Sequence, residues 1–260
     1  MNKKVIIGNL KMHGSLDFNE KIFNAFSTEI DCKNIDVGVC VPYPYLFQAK
    51  QILKGSGIAW GAQNVAKDEI GPFTGEVGAS MISEFGSSFV IIGHSERSTA
   101  YCESDENIAE KFKIIKKYDM VPILCVGETL IEREAGMMKR VVSSQLKTLL
   151  STSEGASIFK GSLIAYEPVW AIGTDIAASP EQAQEMCGFI QEEIVASLSS
   201  KEEKNTLKRD LKILYGGSVN AQNTIQLLSS DEVGGVLVGR GSVNQKEFIN
   251  ICNNANKLYV

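Results

Sequence analysis

Eight short apolar runs recur along this chain of 260 residues and constrain its fold more than any other feature. The runs are rich in β-branched residues and do not alternate with polar residues, which is typical of strands buried on both faces of a parallel sheet. Such a sheet needs helices on both sides, so the chain is predicted to be an α/β protein. The runs cover residues 5–8, 37–41, 58–63, 89–93, 121–126, 163–166, 211–215 and 236–238.

Segments of helical period lie between most of these runs. Three apolar stripes recur at three- and four-residue spacing: Ile22, Phe23, Phe26 and Ile30; Ile108, Phe112 and Ile115; and Met186, Ile190 and Ile194. One helix start is explicit, because Ser179 is a capping residue followed by Pro180 at the first helical position and Gln182 at the third. The polar stretch 199–209 is predicted to be the solvated end of a helix.

Eight strand–helix units in about 250 residues have the size and rhythm of a (β/α)8 barrel. The competing architecture is a doubly wound open sheet, which predicts a GxGxxG turn after the first strand, whereas this chain has GNLKMHG at 8–14. Neither a linker nor a low-complexity stretch divides the sequence. Residues 1–260 are therefore predicted to form a single barrel domain.

Charge and cysteine content limit the classes of partner. The net charge of −5 argues against nucleic acid or an anionic membrane as a partner, but a small anionic substrate needs only a local positive pocket. None of the six cysteines forms a CxxC pair, so we expect no metal site and reduced, buried thiols. The first apolar run is too short for a signal peptide, and none approaches the ~20 residues of a membrane span. A cytoplasmic location is expected.

Polar residues that directly follow the apolar runs are the candidates for chemistry, because barrel active sites form at the C-terminal ends of the strands. Asn9 and Lys11 follow the first run, His94 follows the fourth and Glu167 the sixth. Apolar neighbours would make the Glu167 carboxylate a stronger base. His94 opens a predicted helix, whose N-terminus disfavours the imidazolium. A base, a neutral donor and a cation can remove a proton beside a carbonyl and stabilise an enediolate.

Glycine-rich turns follow the last two runs, at 216–218 and 239–240. Glycine allows several backbone N–H groups to approach one anion, and barrel phosphate sites commonly lie after strands seven and eight. The sequence therefore predicts a phosphorylated substrate that carries a carbonyl group.

Seven segments in order along the chain resemble the triosephosphate isomerase family, whose fold is the TIM barrel: GNLKMHG (8–14), GAQN (61–64), GHSER (93–97), CVGE (125–128), AYEPVWAIGT (165–174), YGGSV (215–219) and GVLVGR (235–240). The resemblance implies interconversion of dihydroxyacetone phosphate and D-glyceraldehyde 3-phosphate in glycolysis and gluconeogenesis, without a cofactor or metal.

The resemblance also implies a role for each site residue. Glu167 would be the base, His94 the neutral electrophile, Lys11 the electrostatic partner of the enediolate, and Asn9 its neighbour. The family is itself a standard example of a glutamate base that works with a neutral histidine. Two positions, Glu96 and Cys125, match residues that stand behind these groups. The N–H groups expected to bind phosphate are those of Gly173, Ser218, Gly239 and Arg240.

A closing lid and a dimer are implied as well. The lid would comprise Pro168, Val169, Trp170, Ala171, Ile172, Gly173, Thr174, Asp175, Ile176 and Ala177. The segment 63–79 resembles a loop that inserts into a second copy of the chain, with Thr74 near Asn9 of the partner subunit. The sequence departs from the family pattern at Leu10 and His13, which are usually tryptophan and asparagine, and at Asp175-Ile176, which is usually Gly-Lys in the lid hinge.

Two alternatives remain open from the residues alone. Another sugar-phosphate isomerase or lyase on the same barrel could share the phosphate turns, although it would not need Lys11, His94 and the lid behind Glu167 together. A barrel without catalysis, kept for assembly, would be indicated by loss of these residues, and all of them are present.

Overall fold

Eight parallel strands close into a barrel in sequence order in the computed structural model of the chain, which describes residues 3–173 and 177–259. The strands are β1 Lys4–Asn9, β2 Ile35–Val41, β3 Ile58–Ala62, β4 Phe89–Ile92, β5 Val121–Val126, β6 Leu163–Tyr166, β7 Lys212–Tyr215 and β8 Gly235–Val238. This confirms the predicted (β/α)8 barrel and excludes the doubly wound sheet. Every predicted run overlaps a strand.

The helices surround the barrel. They are α1 Leu16–Glu29, α2 Leu46–Leu53, α3 Ala79–Glu84, α4 Ser95–Tyr101, α5 Asp105–Lys117, α6 Leu130–Glu134, α7 Met138–Leu150, α8 Pro180–Ala196, α9 Lys201–Asp210, α10 Thr224–Leu228 and α11 Gln245–Asn256. All three apolar stripes are buried, on α1 with its C-cap Ile30, on α5 and on α8. The capping box at Ser179 is confirmed, because its side chain accepts from the Gln182 N–H and the Gln182 side chain accepts from the Ser179 N–H.

The prediction for residues 199–209 is wrong in one respect, since this stretch is a helix of its own. Ser200 caps α9 through the N–H of Glu203. Glutamates lie in its first turn and Lys208 and Arg209 in its last, which suits the helix dipole. The helix buries only Leu207, so it has almost no apolar stripe by which the sequence could reveal it.

Two apolar layers form the core. Alternate strand residues such as Val5 and Ile7 fill the interior of the barrel, whereas Ile6 packs outward against the helices. Gly235 allows the barrel to close, since a Cβ at that position would lie 2.0 Å from the Val5 carbonyl oxygen. Lys4 begins β1 with a buried ammonium that donates to the carbonyls of Ser230 (2.8 Å) and Val233 (2.7 Å).

All six cysteines are free thiols, but the prediction that they are buried is wrong for two of them. Cys32 is half-buried and Cys102 is exposed at the C-terminal end of α4. Cys102 has a left-handed backbone conformation that ends the helix, so its position depends on the turn rather than on packing. Within the described ranges, no helix is long and apolar enough to cross a membrane.

Candidate active site

A cavity of about 660 Å³ opens at the C-terminal ends of the strands. It collects candidates that lie far apart in sequence, because parallel strands of one barrel end at the same mouth. The predicted site residues that line it are Asn9, Lys11, His94, Glu167, Gly173, Ser218, Gly239 and Arg240. Glu96 instead lines a neighbouring cavity, and Cys125 lies buried in the barrel interior.

Glu167 follows β6 directly and is almost fully buried. Its backbone N–H donates to the Val126 carbonyl at 2.7 Å, which continues the β5–β6 pairing by one residue. Its carboxylate has two polar neighbours at the start of α4. Oε2 accepts from the Ser95 N–H at 3.4 Å, and Oε1 lies 3.2 Å from Nε2 of His94. The candidate base and the candidate electrophile are therefore in direct contact.

Cys125 lies inside the barrel, near enough to this carboxylate for the Glu167 charge to act on its thiol. Burial, followed by the nearby Glu167 charge, raises the pKa of the Cys125 thiol well above its ordinary value. The thiol stays protonated for this reason and is available as a donor. The structure thus gives Cys125 a place behind Glu167 and not in the cavity.

The hydrogen bonds of His94 indicate which of its two ring nitrogens acts as an acceptor. His94 is the N-cap of α4, and its Nδ1 accepts from the Glu96 N–H at 3.2 Å. An Nδ1 that accepts carries no proton, so a neutral ring has its proton on Nε2, the atom that faces Glu167. This hydrogen-bond pattern is compatible with the neutral donor that the sequence predicts.

Lys11 has an unusual backbone conformation for a lysine, with φ of 51° in the left-handed region. Its N–H donates to Oδ1 of the buried Asn9 at 3.0 Å, and the Asn9 carbonyl accepts from Ser242 Oγ at 2.9 Å. The Lys11 ammonium forms an ion pair with Glu96. Strained residues persist where the surrounding structure holds them and cluster at functional sites. Here the turn directs the ammonium into the cavity.

The glycine turns after β7 and β8 lie close to the reactive side chains. A Cβ on Gly216 would stand 2.8 Å from Cγ of Glu167, and one on Gly239 would stand 3.1 Å from Cε of Lys11. Glycine at both positions therefore leaves space for the base and the cation. Ser218 and Arg240 line the same cavity, and backbone N–H groups of such turns are suited to an anion.

Glu128, which the sequence analysis did not select, supports the start of the lid. Its fully buried Oε1 accepts from the Tyr166 hydroxyl and from Trp170 Nε1, both at 3.0 Å, and pairs with Arg133 at 3.3 Å. The Glu128 carbonyl accepts from the Val169 N–H at 3.0 Å. The sequence offered the same signal that selected Glu167, since Glu128 is also a carboxylate just beyond a strand run.

The far end of the lid is held by Tyr215, the last residue of β7. Its buried hydroxyl accepts from the Ala178 N–H at 3.0 Å. No polar signal marks Tyr215 in the sequence, because it completes an apolar run. Three predicted lid residues lie outside the described residues: Thr174, Asp175 and Ile176. The expectation about the Asp175-Ile176 hinge concerns these positions.

The two residues near β1 that depart from the family pattern, Leu10 and His13, have different surroundings. Leu10 is fully buried in the outer core, so it packs where the family pattern has a larger residue. His13 is exposed and borders the outer part of the cavity. Across residues 3–173 and 177–259, no group of three or more His, Cys, Asp or Glu side chains could hold a metal ion.

Comparison with known proteins agrees with this geometry. The sequence profile described as triosephosphate isomerase matches residues 4–255. The chain belongs to the triosephosphate isomerase family. It is 45% identical over 99% of its length to a triosephosphate isomerase of Thiobacillus denitrificans, and 44% identical over 98% to one of Dechloromonas aromatica. Each relative is covered over 100% of its own length.

Membership of the triosephosphate isomerase family favours one of the interpretations that the residues left open. A match over nearly the whole barrel covers the strand ends, the lid and the glycine turns together. Another sugar-phosphate barrel would be expected to share only the phosphate turns. The chain is therefore an isomerase by family, on a TIM barrel.

Proposed function

We propose that this chain, acting as one catalytic domain, interconverts dihydroxyacetone phosphate and D-glyceraldehyde 3-phosphate, a step of glycolysis and gluconeogenesis. The observation that carries the proposal is the 3.2 Å contact between Glu167 Oε1 and His94 Nε2. In the proposed reaction this contact would bring a base and a neutral donor side by side in a cavity that Lys11 also lines. Family membership supports the same reaction.

The substrate phosphate would bind at the glycine turns. The N–H groups of Ser218, Gly239 and Arg240, joined by that of Gly173 from the lid, supply donors without side-chain bulk. Lys11 stands beside Gly239 and would share its charge between the phosphate and the reacting oxygens, with Asn9 holding its backbone. This anchoring places the two carbons of the substrate between Glu167 and His94.

Proton transfer then follows from the geometry. A bound substrate would separate Glu167 from His94, so Nε2–H of His94 donates to the carbonyl oxygen instead of facing the carboxylate. Glu167 takes a proton from the carbon beside the carbonyl, the C–H electrons form the C=C bond, and the oxygen becomes an enediolate that Lys11 and His94 stabilise. Return of the proton to the neighbouring carbon, with a proton moved between the oxygens through His94, completes the isomerisation.

The lid would keep water away from this intermediate. Glu167 is followed directly by Pro168 and Val169, so movement of the lid and movement of the base are mechanically linked. Closure strengthens the electrostatic interactions inside the cavity and limits side reactions of the enediolate. Glu96, which pairs with Lys11 and donates its backbone N–H to Nδ1 of His94, would hold these two groups until substrate arrives.

We also propose that the chain forms a homodimer through the loop 63–79. The tip of this loop carries the exposed residues Ile70, Phe73 and Thr74. A second cavity of about 400 Å³ lies directly beside Asn9 and Lys11. The loop of another copy would fill it and bring Thr74 close to Asn9 of the partner subunit. Assembly would in this way support the strained turn at Lys11.

A coupled assay tests the reaction. The purified protein should convert glyceraldehyde 3-phosphate to dihydroxyacetone phosphate, and Glu167→Asp should lower kcat with little change in KM. Shortening the side chain by one methylene displaces the base by about 1 Å, which can cost on the order of 10²-fold. Glu202→Asp, on the exposed start of α9, is the matched control and should keep the parent kcat.

Two outcomes would contradict the proposal. A parent protein that does not turn over either triose phosphate would favour a barrel without catalysis. A Glu167→Asp variant with parent kcat would remove Glu167 from the role of base.

A further inference from the structure

The main chain of Glu167 rests against a glycine. A Cβ on Gly127 would stand only 1.8 Å from the Glu167 carbonyl oxygen and 2.6 Å from its carbonyl carbon. On the other side of the same contact, the Glu167 N–H donates to the Val126 carbonyl at 2.7 Å. The position of the residue just beyond β5 therefore determines the backbone position of the residue just beyond β6.

One side chain holds Gly127 by both of its backbone groups. The Gly127 N–H donates to Oε1 of Gln145 at 2.9 Å, and Nε2 of Gln145 donates to the Gly127 carbonyl at 3.0 Å. Two bonds from one planar amide fix orientation as well as distance. Gln145 lies on α7, which buries Val142, Leu146 and Leu149, so the amide is attached to a packed helix outside the barrel.

The effect of this clamp extends into the lid. Glu128 follows Gly127 directly, and it accepts hydrogen bonds from Val169 and Trp170. Gly127 and Glu128 together thus contact Glu167, Val169 and Trp170. A rotation of the Gly127 peptide groups would displace both the base and the start of the lid.

We infer that Gln145 is a positioning residue for the reaction: by clamping Gly127 it sets the backbone of Glu167, and hence the distance from the carboxylate to the substrate carbon. The inference rests on the proposed function. Glutamine suits the task because its side-chain amide offers both N–H donors and a carbonyl acceptor without charge. Leucine would leave both Gly127 groups without a partner, and glutamate would set an acceptor against the Gly127 carbonyl.

The experiment compares two glutamines that each bind backbone from the side of a helix. Gln145→Leu should lower kcat about 10- to 100-fold, since misplacement of a catalytic group by ~1 Å costs on that order. KM should change less than about twofold, because the substitution leaves the phosphate-binding turns untouched.

Gln191→Leu is the matched control. Gln191 on α8 donates to the Lys208 (2.9 Å) and Leu211 (3.3 Å) carbonyls at the opposite end of the barrel. The Gln191→Leu variant should therefore keep the parent kcat.

A double-mutant cycle separates positioning from a general loss of structure. In the Glu167→Asp background the carboxylate is already misplaced, so Gln145→Leu should lower kcat by less than about threefold. The inference would be overturned if the effects of Gln145→Leu and Glu167→Asp on kcat multiplied in full in the double variant. It would also be overturned if a folded Gln145→Leu variant kept the parent kcat. If Gln145→Leu does not fold, Gln145→Glu is the second variant, because it keeps the size of the side chain. It should also lower kcat and leave KM nearly unchanged. A Gln145→Glu variant with the parent kcat would likewise overturn the inference.

A readout besides activity keeps the inference distinct from the proposed function. Crystal structures of Gln145→Leu and the parent should differ in the position of Glu167 and of the Gly127 peptide groups. A parent without isomerase turnover would refute the proposed function, whereas an unmoved Glu167 in the variant would refute the role of Gln145.

Discussion

Lys11 and Cys102 share a backbone conformation that L-residues rarely adopt, with φ of 51° and 53°. Each costs about 1–2 kcal/mol relative to a regular conformation. For Lys11 the cost has a functional counterpart, since the turn directs its ammonium into the cavity beside His94 and Glu167. Cys102 ends α4 with an exposed side chain. The left-handed conformation at Cys102 therefore serves only to end α4. Glycine could adopt the same conformation there without strain.

Cys102→Gly should raise the free energy of unfolding by about 0.5–1 kcal/mol, the relief of left-handed strain less the extra chain entropy of glycine. Urea unfolding in reducing buffer at one protein concentration measures it. Cys32→Gly is the control, because Cys32 is half-buried and lies outside the set of residues with positive φ; it should lower stability. A loss of stability in Cys102→Gly would contradict the argument.

At the scale of elements, the ends of β6 and β7 hold the two ends of the lid through buried tyrosines. Tyr166 donates to Glu128 at one end, and Tyr215 accepts from Ala178 at the other. Burial, followed by the Glu128 charge, raises the pKa of the Tyr166 hydroxyl. Burial also raises the pKa of Tyr215 to about 12. Both hydroxyls are therefore held in their neutral form by the fold.

The raised pKa of Tyr215 predicts that the folded protein loses stability at alkaline pH. The folded pKa is about 12 and the unfolded value about 10. The folded state thus retains the proton more strongly, and this contribution is present below pH 10 and lost as the pH rises from about 10 through 12. A difference of about two pKa units corresponds to roughly 3 kcal/mol.

Tyr215→Phe should be less stable than the parent at pH 8, by about 1 kcal/mol for the lost hydrogen bond. Its stability should nevertheless fall less steeply between pH 10 and 12. Urea unfolding at pH 8, 10, 11 and 12 measures both effects, with Tyr101→Phe at an exposed ring as the control that follows the parent. If the free energy of unfolding fell equally steeply with pH in Tyr215→Phe and in the parent, Tyr215 would not be the cause of the alkaline loss of stability.

At the scale of the whole molecule, exposed apolar side chains concentrate on one part of the surface. Most of them lie on the loops and helices that follow β1–β4, which are consecutive in the barrel: Met12, Leu16, Phe47, Ile70, Phe73, Met81 and Tyr101. Exposed apolar side chains that lie close together mark interaction sites in soluble proteins. This part of the surface borders the second cavity beside Lys11, in keeping with the proposed homodimer.

Thr74→Arg should shift the protein from dimer to monomer at micromolar concentration and lower kcat, because a long cation cannot enter the cavity that already holds Lys11 and Arg97. Light scattering after size exclusion should give twice the 28.3 kDa of one chain for the parent. Thr28→Arg, at an exposed threonine on α1, should remain dimeric. A monomeric parent, or an undisturbed Thr74→Arg dimer, would argue against this interface.

Much of the fold and of the candidate site could be predicted from the sequence. Buried parallel strands are continuous apolar runs, so the eight strands were recognisable within a few residues. Because such strands end at one mouth, the polar residues after each run, among them Lys11, His94 and Glu167, could be expected to lie together, and they line one cavity. Capping at Ser179 was predictable for a similar reason, since the signal lies within four consecutive residues.

Only the tertiary structure decided how these residues meet. The contact of Glu167 with His94 depends on the register of three strands, and the exposure of Cys102 depends on a turn. The support of the lid by Glu128 and Tyr215, and the clamp of Gln145 on Gly127, join residues on different elements. No local pattern encodes such contacts. Hydrophobic periodicity reports which face of an element is buried, whereas distances between side chains are determined only when the barrel closes and the helices pack around it.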